Sequence, residues 1–169
     1  MKTFKAIMPA LIVIASGAFL LGATPEYGVQ GALSFPTGDL SDSASVGLQG
    51  GGHAQWNFGS GHGIMARADL TLYGQHHGSS DTSVGFGGDY TYHLDQNRRG
   101  LYFLGGLSVL DYHWTDQYGY SHTDASLGPD LGVGYDLDRH VGLQARYTFH
   151  SGANSTDLNS LNLGVTYTF

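Results

Sequence analysis

Five charged residues stand out in a chain that is otherwise poor in charge: Arg67, Asp69, Asp89, Asp130 and Arg146. Each takes a polar position in a segment where polar and apolar residues alternate, so in a common sheet all five share one face. Asp136 falls on that face too. Guanidiniums among carboxylates form ion pairs, and a pair that exchanges partners has two arrangements, which is the chemistry of a gate. A fixed set of pairs is instead a polar plug that holds the strands in register, and the plug is the favoured reading. An unpaired buried charge is costly, so an excess of aspartates calls for bound water, protonation, or a charged His53 or His93.

Two other groups carry chemistry. His76, His77, His113, His122 and His150 fall in or beside loops, where neutral imidazoles from several loops can gather zinc or copper. Nothing in the sequence makes those loops converge, so solvated side chains and no metal are expected. His150 and Ser151, with Asn154 and Asp157 near by, have the residue types of a nucleophile and its base. Adjacent residues on a strand point to opposite faces, so a direct Ser–His bond there requires loop geometry, and an ordinary loop start is the simpler expectation. The clusters Gly50-Gly51-Gly52 and Gly85 to Gly88 are not phosphate loops, because no helix follows them. They suit the relief of crowding in a tight interior. No cofactor is expected.

The elements that position these residues are strands. The end of the chain shows the pattern best: Leu161, Leu163, Val165, Tyr167 and Phe169 alternate with Asn162, Gly164, Thr166 and Thr168, the period of a strand with one apolar face. The same period predicts strands at Tyr27–Phe35, Val46–Phe58, Gly63–Tyr73, Ser83–Leu94, Leu101–Trp114, Ala125–Leu137 and Val141–Phe149. Strand five is apolar on both faces at Leu101 to Leu104, which leaves its register open, and Pro129 in strand six predicts a bulge. The connections run long, short, long, short, long, short, long. Eight strands therefore begin and end on the short-turn side, as transmembrane barrels do.

At 169 residues there is room for one domain. Residues 1–23 read as a signal peptide, with Lys2 and Lys5 before an apolar run and a cut at Leu21-Gly22-Ala23 or after Ala18; residues 24–169 are expected to form the barrel. Without that segment five arginines face 14 acidic residues, a formal balance of −9. Nucleic acid is excluded as a partner on that charge. There are no cysteines, so neither disulfides nor thiolate metal sites can form. With 27 glycines, 11 tyrosines and 12% charged residues, the composition favours short strands and tight turns.

Alternation alone does not say which face meets solvent, since a soluble lipocalin-like barrel has the same period with its apolar side chains inside. Aromatics decide it. Tyr27, Phe35, Trp56, Phe58, Tyr90, Tyr92, Phe103, Tyr135, Tyr147, Phe149, Tyr167 and Phe169 collect near strand ends on the apolar face, where they would form membrane girdles. The expected fold is all-β, an eight-stranded antiparallel up-and-down transmembrane β-barrel. The ending Asn162 to Phe169, the Gly134 to Leu137 stretch before a tight turn, and Ala145-Arg146-Tyr147 resemble the small bacterial outer-membrane β-barrel family that includes the OmpA-type membrane domain. That resemblance implies a monomer in the bacterial outer membrane, with the Phe169 strand as the signal to the barrel-assembly machinery. It implies a structural or surface-interaction role, with a small porin-like channel as the alternative and no enzymatic activity. No peptidoglycan-binding domain is expected after the barrel. Some eight-stranded outer-membrane barrels are lipid A deacylases with Ser and His late in the chain; here His150 and Ser151 lack the residue that separates that pair, which weighs against the reading. The long loops hold Asp39, Asp42, Asp81, Asp116, Asp124 and Asp157 and no Lys or Arg. Contact with anionic lipopolysaccharide beside the membrane lipids would need divalent cations between them.

Overall fold

The computed structural model describes residues 23–74, 81–95, 98–115, 120–151 and 157–169. The signal-peptide reading, and the expectations for His76, His77, Asp116 and Asn154, lie outside them. Eight strands follow in chain order: β1 (Glu26–Thr37), β2 (Gly47–Gly59), β3 (His62–Tyr73), β4 (Thr82–His93), β5 (Gly100–Thr115), β6 (Ser121–Asp136), β7 (Val141–Thr148) and β8 (Asn159–Thr168). Each pairs antiparallel with the next, and β8 pairs with β1 to close the barrel. Closure satisfies the edges that an open sheet would leave. Among the described residues no helix is long and apolar enough to cross a membrane.

The apolar face points out. Val29, Leu33, Leu48, Leu70, Leu72, Leu107, Leu127, Leu131 and Val165 are between 46% and 67% exposed, while Arg67, Asp69, Asp89, Asp130 and Arg146 are buried inside. A soluble barrel with a greasy interior is thereby ruled out, because so large an apolar surface has no place in water. Tyr27, Phe58, Tyr90, Tyr92, Phe103, Tyr135, Tyr167 and Phe169 ring the short-turn end and are exposed. Trp56 departs from the girdle expected of it: register places it on the outward face, yet it is buried.

Two expectations are corrected. Pro129 makes no bulge, for the β5–β6 register runs unbroken from Gly100↔Asp136 to Thr115↔Ser121. Its carbonyl accepts from the Phe149 N–H at 2.9 Å, so its nitrogen also faces β7, and the missing N–H ends the β6–β7 ladder at Asp130↔Thr148 instead. The register shift lies elsewhere, between Asn57 and Gly59 in β2. The third long loop is also shorter than expected: β6 begins at Ser121, so His122 and Thr123 belong to a strand paired with Trp114 and His113. The first loop holds one turn of helix, α1 (Leu40–Ser43), that the polar run Thr37 to Ser45 did not announce.

The short turn after β6 is fixed by Asp138, whose carboxylate accepts the backbone N–H of His140 at 2.7 Å and of Val141 at 2.8 Å. Those bonds favour the charged form and hold the carboxyl below its ordinary range. A depressed folded value means that this stabilisation is complete above the unfolded carboxylate value of about 4 and disappears as pH falls through the folded one. Asp138→Asn is expected to flatten the pH dependence of unfolding below about pH 4 while leaving neutral pH nearly unchanged. Unfolding curves of refolded protein across that window check it.

Candidate functional site

The five charged residues converge midway along the lumen, brought there by glycine. Arg67 on β3 stands beside Gly87, Asp69 between Gly51 and Gly85, Asp89 beside Gly106, and Arg146 beside Gly132. Asp130 also faces Gly106, across the β5–β6 pair. A methyl carbon on Gly87 would lie 3.0 Å from the Arg67 guanidinium, and one on Gly51 would run into Asp69. In so narrow a barrel, charge occupies the space its neighbours leave.

Arg67 is the hub. Its guanidinium donates to Asp69, to Asp130 Oδ2 at 2.6 Å and to Asp89 Oδ2 at 3.4 Å. Arg146 donates to the same Asp89 oxygen at 2.9 Å, so that carboxylate bridges the two arginines. Gln30 also donates to Asp69. Three carboxylates and two guanidiniums thus form one connected set, and all five residues are at most 5% exposed. All five residues expected from sequence are therefore brought together. Asp136 is not among them: it accepts from His93 Nε2 at 2.9 Å, at the short-turn mouth. There the lumen opens into a cavity of about 190 Å3, lined among others by Glu26, His53, Thr91, His93, Tyr102 and Asp136.

Sequence reasoning missed Ser108 and misplaced His150. Ser108 Oγ donates to Asp130 Oδ1 at 3.0 Å, and His150 Nε2 lies 3.0 Å from that hydroxyl and 3.2 Å from the Ser108 carbonyl. A carbonyl only accepts, so Nε2 carries the proton and donates. The histidine therefore cannot take the proton of Ser108, whose hydroxyl is directed at a carboxylate. Serine sits in the middle of this chain, where an activated nucleophile would need histidine there. Ser151, by contrast, is exposed, and its carbonyl accepts from Ser126 Oγ. The His150 ring points away from it into the lumen, so the adjacent pair is not a catalytic pair. The signal for Ser108 was the parity of β5: counted back from Tyr112, it shares a face with Tyr102, Leu104 and Gly106.

Among the described residues the loop histidines have separate partners. His113 contacts Thr123 and Asp111, while the His122 ring stacks on Trp114 at 5.2 Å. Among the described residues no group of three His, Asp or Glu side chains is arranged to hold a metal ion.

A family model for the outer membrane protein beta-barrel domain matches residues 6–169. Among solved structures, Ail, the attachment invasion locus protein of Yersinia pestis, is similar with a TM-score of 0.60 at 13% identity, over 87% of this chain and 99% of that one. Neisserial surface protein A gives 0.57 at 19% identity, over 86% of this chain and 97% of that one. The N-terminal β-barrel domain of Pseudomonas aeruginosa OprF gives 0.57 at 14% identity, over 85% and 97%. No curated protein matches the sequence.

Proposed function

This chain belongs to the outer membrane protein β-barrel family and resides in the bacterial outer membrane, and from that premise we propose that it is a structural and surface-interaction protein whose lumen is filled by a fixed polar plug. The observation that carries this reading is the shared hydrogen bonding of the charged set, in which Arg67 serves three carboxylates and Asp89 joins both arginines. Exchange of one pair would strand the others, and a stranded buried charge is costly. The set is better suited to bracing the barrel than to switching. The protein is a monomer, not an enzyme, inserted by the assembly machinery through the strand that ends in Phe169.

Its outward business is conducted by the loops. Ail is named for attachment and invasion and has been crystallised with a heparin analogue. The long loops of this chain contain no Lys or Arg, so a polysulfated glycan has no guanidinium or ammonium to meet. Its partner is neutral or basic, or an anionic lipopolysaccharide bridged by divalent cations. The second reading, a small channel, draws support from the cavity at the short-turn mouth.

Planar-bilayer recording separates the two. The plugged reading expects a silent bilayer with refolded protein, whereas regular conductance steps would overturn it in favour of the channel. An altered lipid A acyl pattern in cells expressing the protein would overturn the non-enzymatic part.

A further inference from the structure

The outer mouth of the lumen is closed by a layer of different chemistry from the plug. α1 drops Leu40 into the opening, fully buried against Ala44, Leu158, Tyr73 and Tyr112, with Leu110 and Trp114 packed at its margin. Among the described residues, two bonds join the first and fourth loops here: Leu40 N–H to the Asp157 carbonyl at 3.0 Å, and Asp157 N–H to Asp39 Oδ2 at 3.0 Å.

Directly beneath, the wall turns to hydroxyl and amide. Thr71, Ser83, Thr148, Ser160 and Asn162 line a chamber of about 20 Å3, room for a water molecule. Asn162 Oδ1 is buried there without a partner in the protein. The series continues inward through Gln30 Oε1, Arg146 Nε and Asp89 Oδ1 to His53 Nδ1 and Thr91 Oγ1 at the large cavity. Buried polar atoms of this kind are satisfied by water. A polar wall therefore wets, whereas an apolar constriction of molecular width sheds water and closes.

We propose that the first loop is the gate of this barrel: Leu40, with Leu158 beside it, seals a hydrated polar lumen against the exterior, and displacement of α1 leaves room in its place for small hydrophilic solutes to reach the wall of the chamber from outside. The plug then stays fixed, and control passes from charged side chains to an apolar stopper tied to the fourth loop by the bonds of Leu40 and Asp39 to Asp157. This goes beyond the surface role and does not depend on it.

The chain has no cysteine, so a single introduced thiol reports access without background. In proteoliposomes of one orientation, Ser160→Cys samples the chamber under the stopper and Thr91→Cys the short-turn cavity, each probed by a membrane-impermeant methanethiosulfonate added to one side. From the loop side, Ser160→Cys is expected to be protected while Leu40 is intact and to react at least tenfold faster with Leu40→Ser. Thr91→Cys is expected to react from the short-turn side at the same rate in both backgrounds. Equal rates at Ser160→Cys with and without Leu40 would overturn the proposal, as would protection that survives Leu40→Ser with Leu158→Ser, or an unreactive Thr91→Cys. Each variant is first checked for the compact, heat-modifiable form; where Ser160→Cys fails to fold, Thr148→Cys samples the same chamber.

Discussion

Arg67→Ala is expected to lower the unfolding free energy by about 3–5 kcal/mol, the cost of removing one partner from a buried charged network. The substitution leaves Asp69 without an arginine, Asp130 with only the Ser108 hydroxyl, and Asp89 with Arg146 alone. Buried carboxylates gathered in one cross-section repel one another, and single waters in so narrow a lumen do not replace a guanidinium. Removing an acceptor should cost less, since Asp130→Asn keeps the shape and leaves Arg67 with Asp69 and Asp89. Arg67→Met combined with Asp69→Asn and Asp130→Asn should recover most of the loss, because the charges that remain, Asp89 and Arg146, are matched as a pair and none is stranded. Urea unfolding of refolded protein, followed by the mobility shift between boiled and unboiled samples, measures all three. An Arg67→Ala variant within about 1 kcal/mol of the parent would mean that the three carboxylates do not need Arg67 as a partner, contrary to their shared hydrogen bonding.

The second large effect is expected at Gly128. Because Pro129 has no N–H, the Phe149 carbonyl is released from the β6–β7 ladder and turns over Gly128, so closely that a methyl carbon there would overlap it. The obstacle is backbone and cannot rotate away. Gly128→Ala must therefore push the end of β7 off β6, at a cost of about 3 kcal/mol, the upper part of the range for overpacking. Gly50→Ala is the control, since a methyl carbon there meets nothing within 4 Å. Similar urea midpoints for the two variants would show that the Phe149 carbonyl can move at little cost.

How much of this was legible in the sequence depends on what alternation encodes. Period two assigns faces, so alternation and the aromatic girdles together put Arg67, Asp69, Asp89, Asp130 and Arg146 in the interior, and strand ends fell mostly within two residues. Alternation does not say which inward side chains meet, because the tilt of closed strands sets the stagger between neighbours. Nothing in the spacing distinguishes Asp130, which joins Arg67, from Asp136, which goes to His93. The apolar run Leu101 to Leu104 hid the parity of β5, and Ser108 with it, because Leu104 and Tyr102 fill the lumen as apolar side chains. Leu40 was illegible for another reason: a lone leucine in a polar loop has no period. Its role comes from α1 and from Asp157, more than a hundred residues away along the chain.

The early end of β7 also bears on how the closed cylinder would come apart. A hoop of staves yields at its weakest seam, and the chain ends do not make that seam, since β1 and β8 are stitched over ten rungs. The seams flanking β7, a stave of eight residues, have only seven rungs with β6 and eight with β8. Pro129 makes the shorter of the two by withholding one N–H. Sideways opening toward the bilayer should therefore begin beside β7, and the backbone amides of Val141 to Thr148 should trade their hydrogens for deuterium sooner than those of the β1–β8 closure.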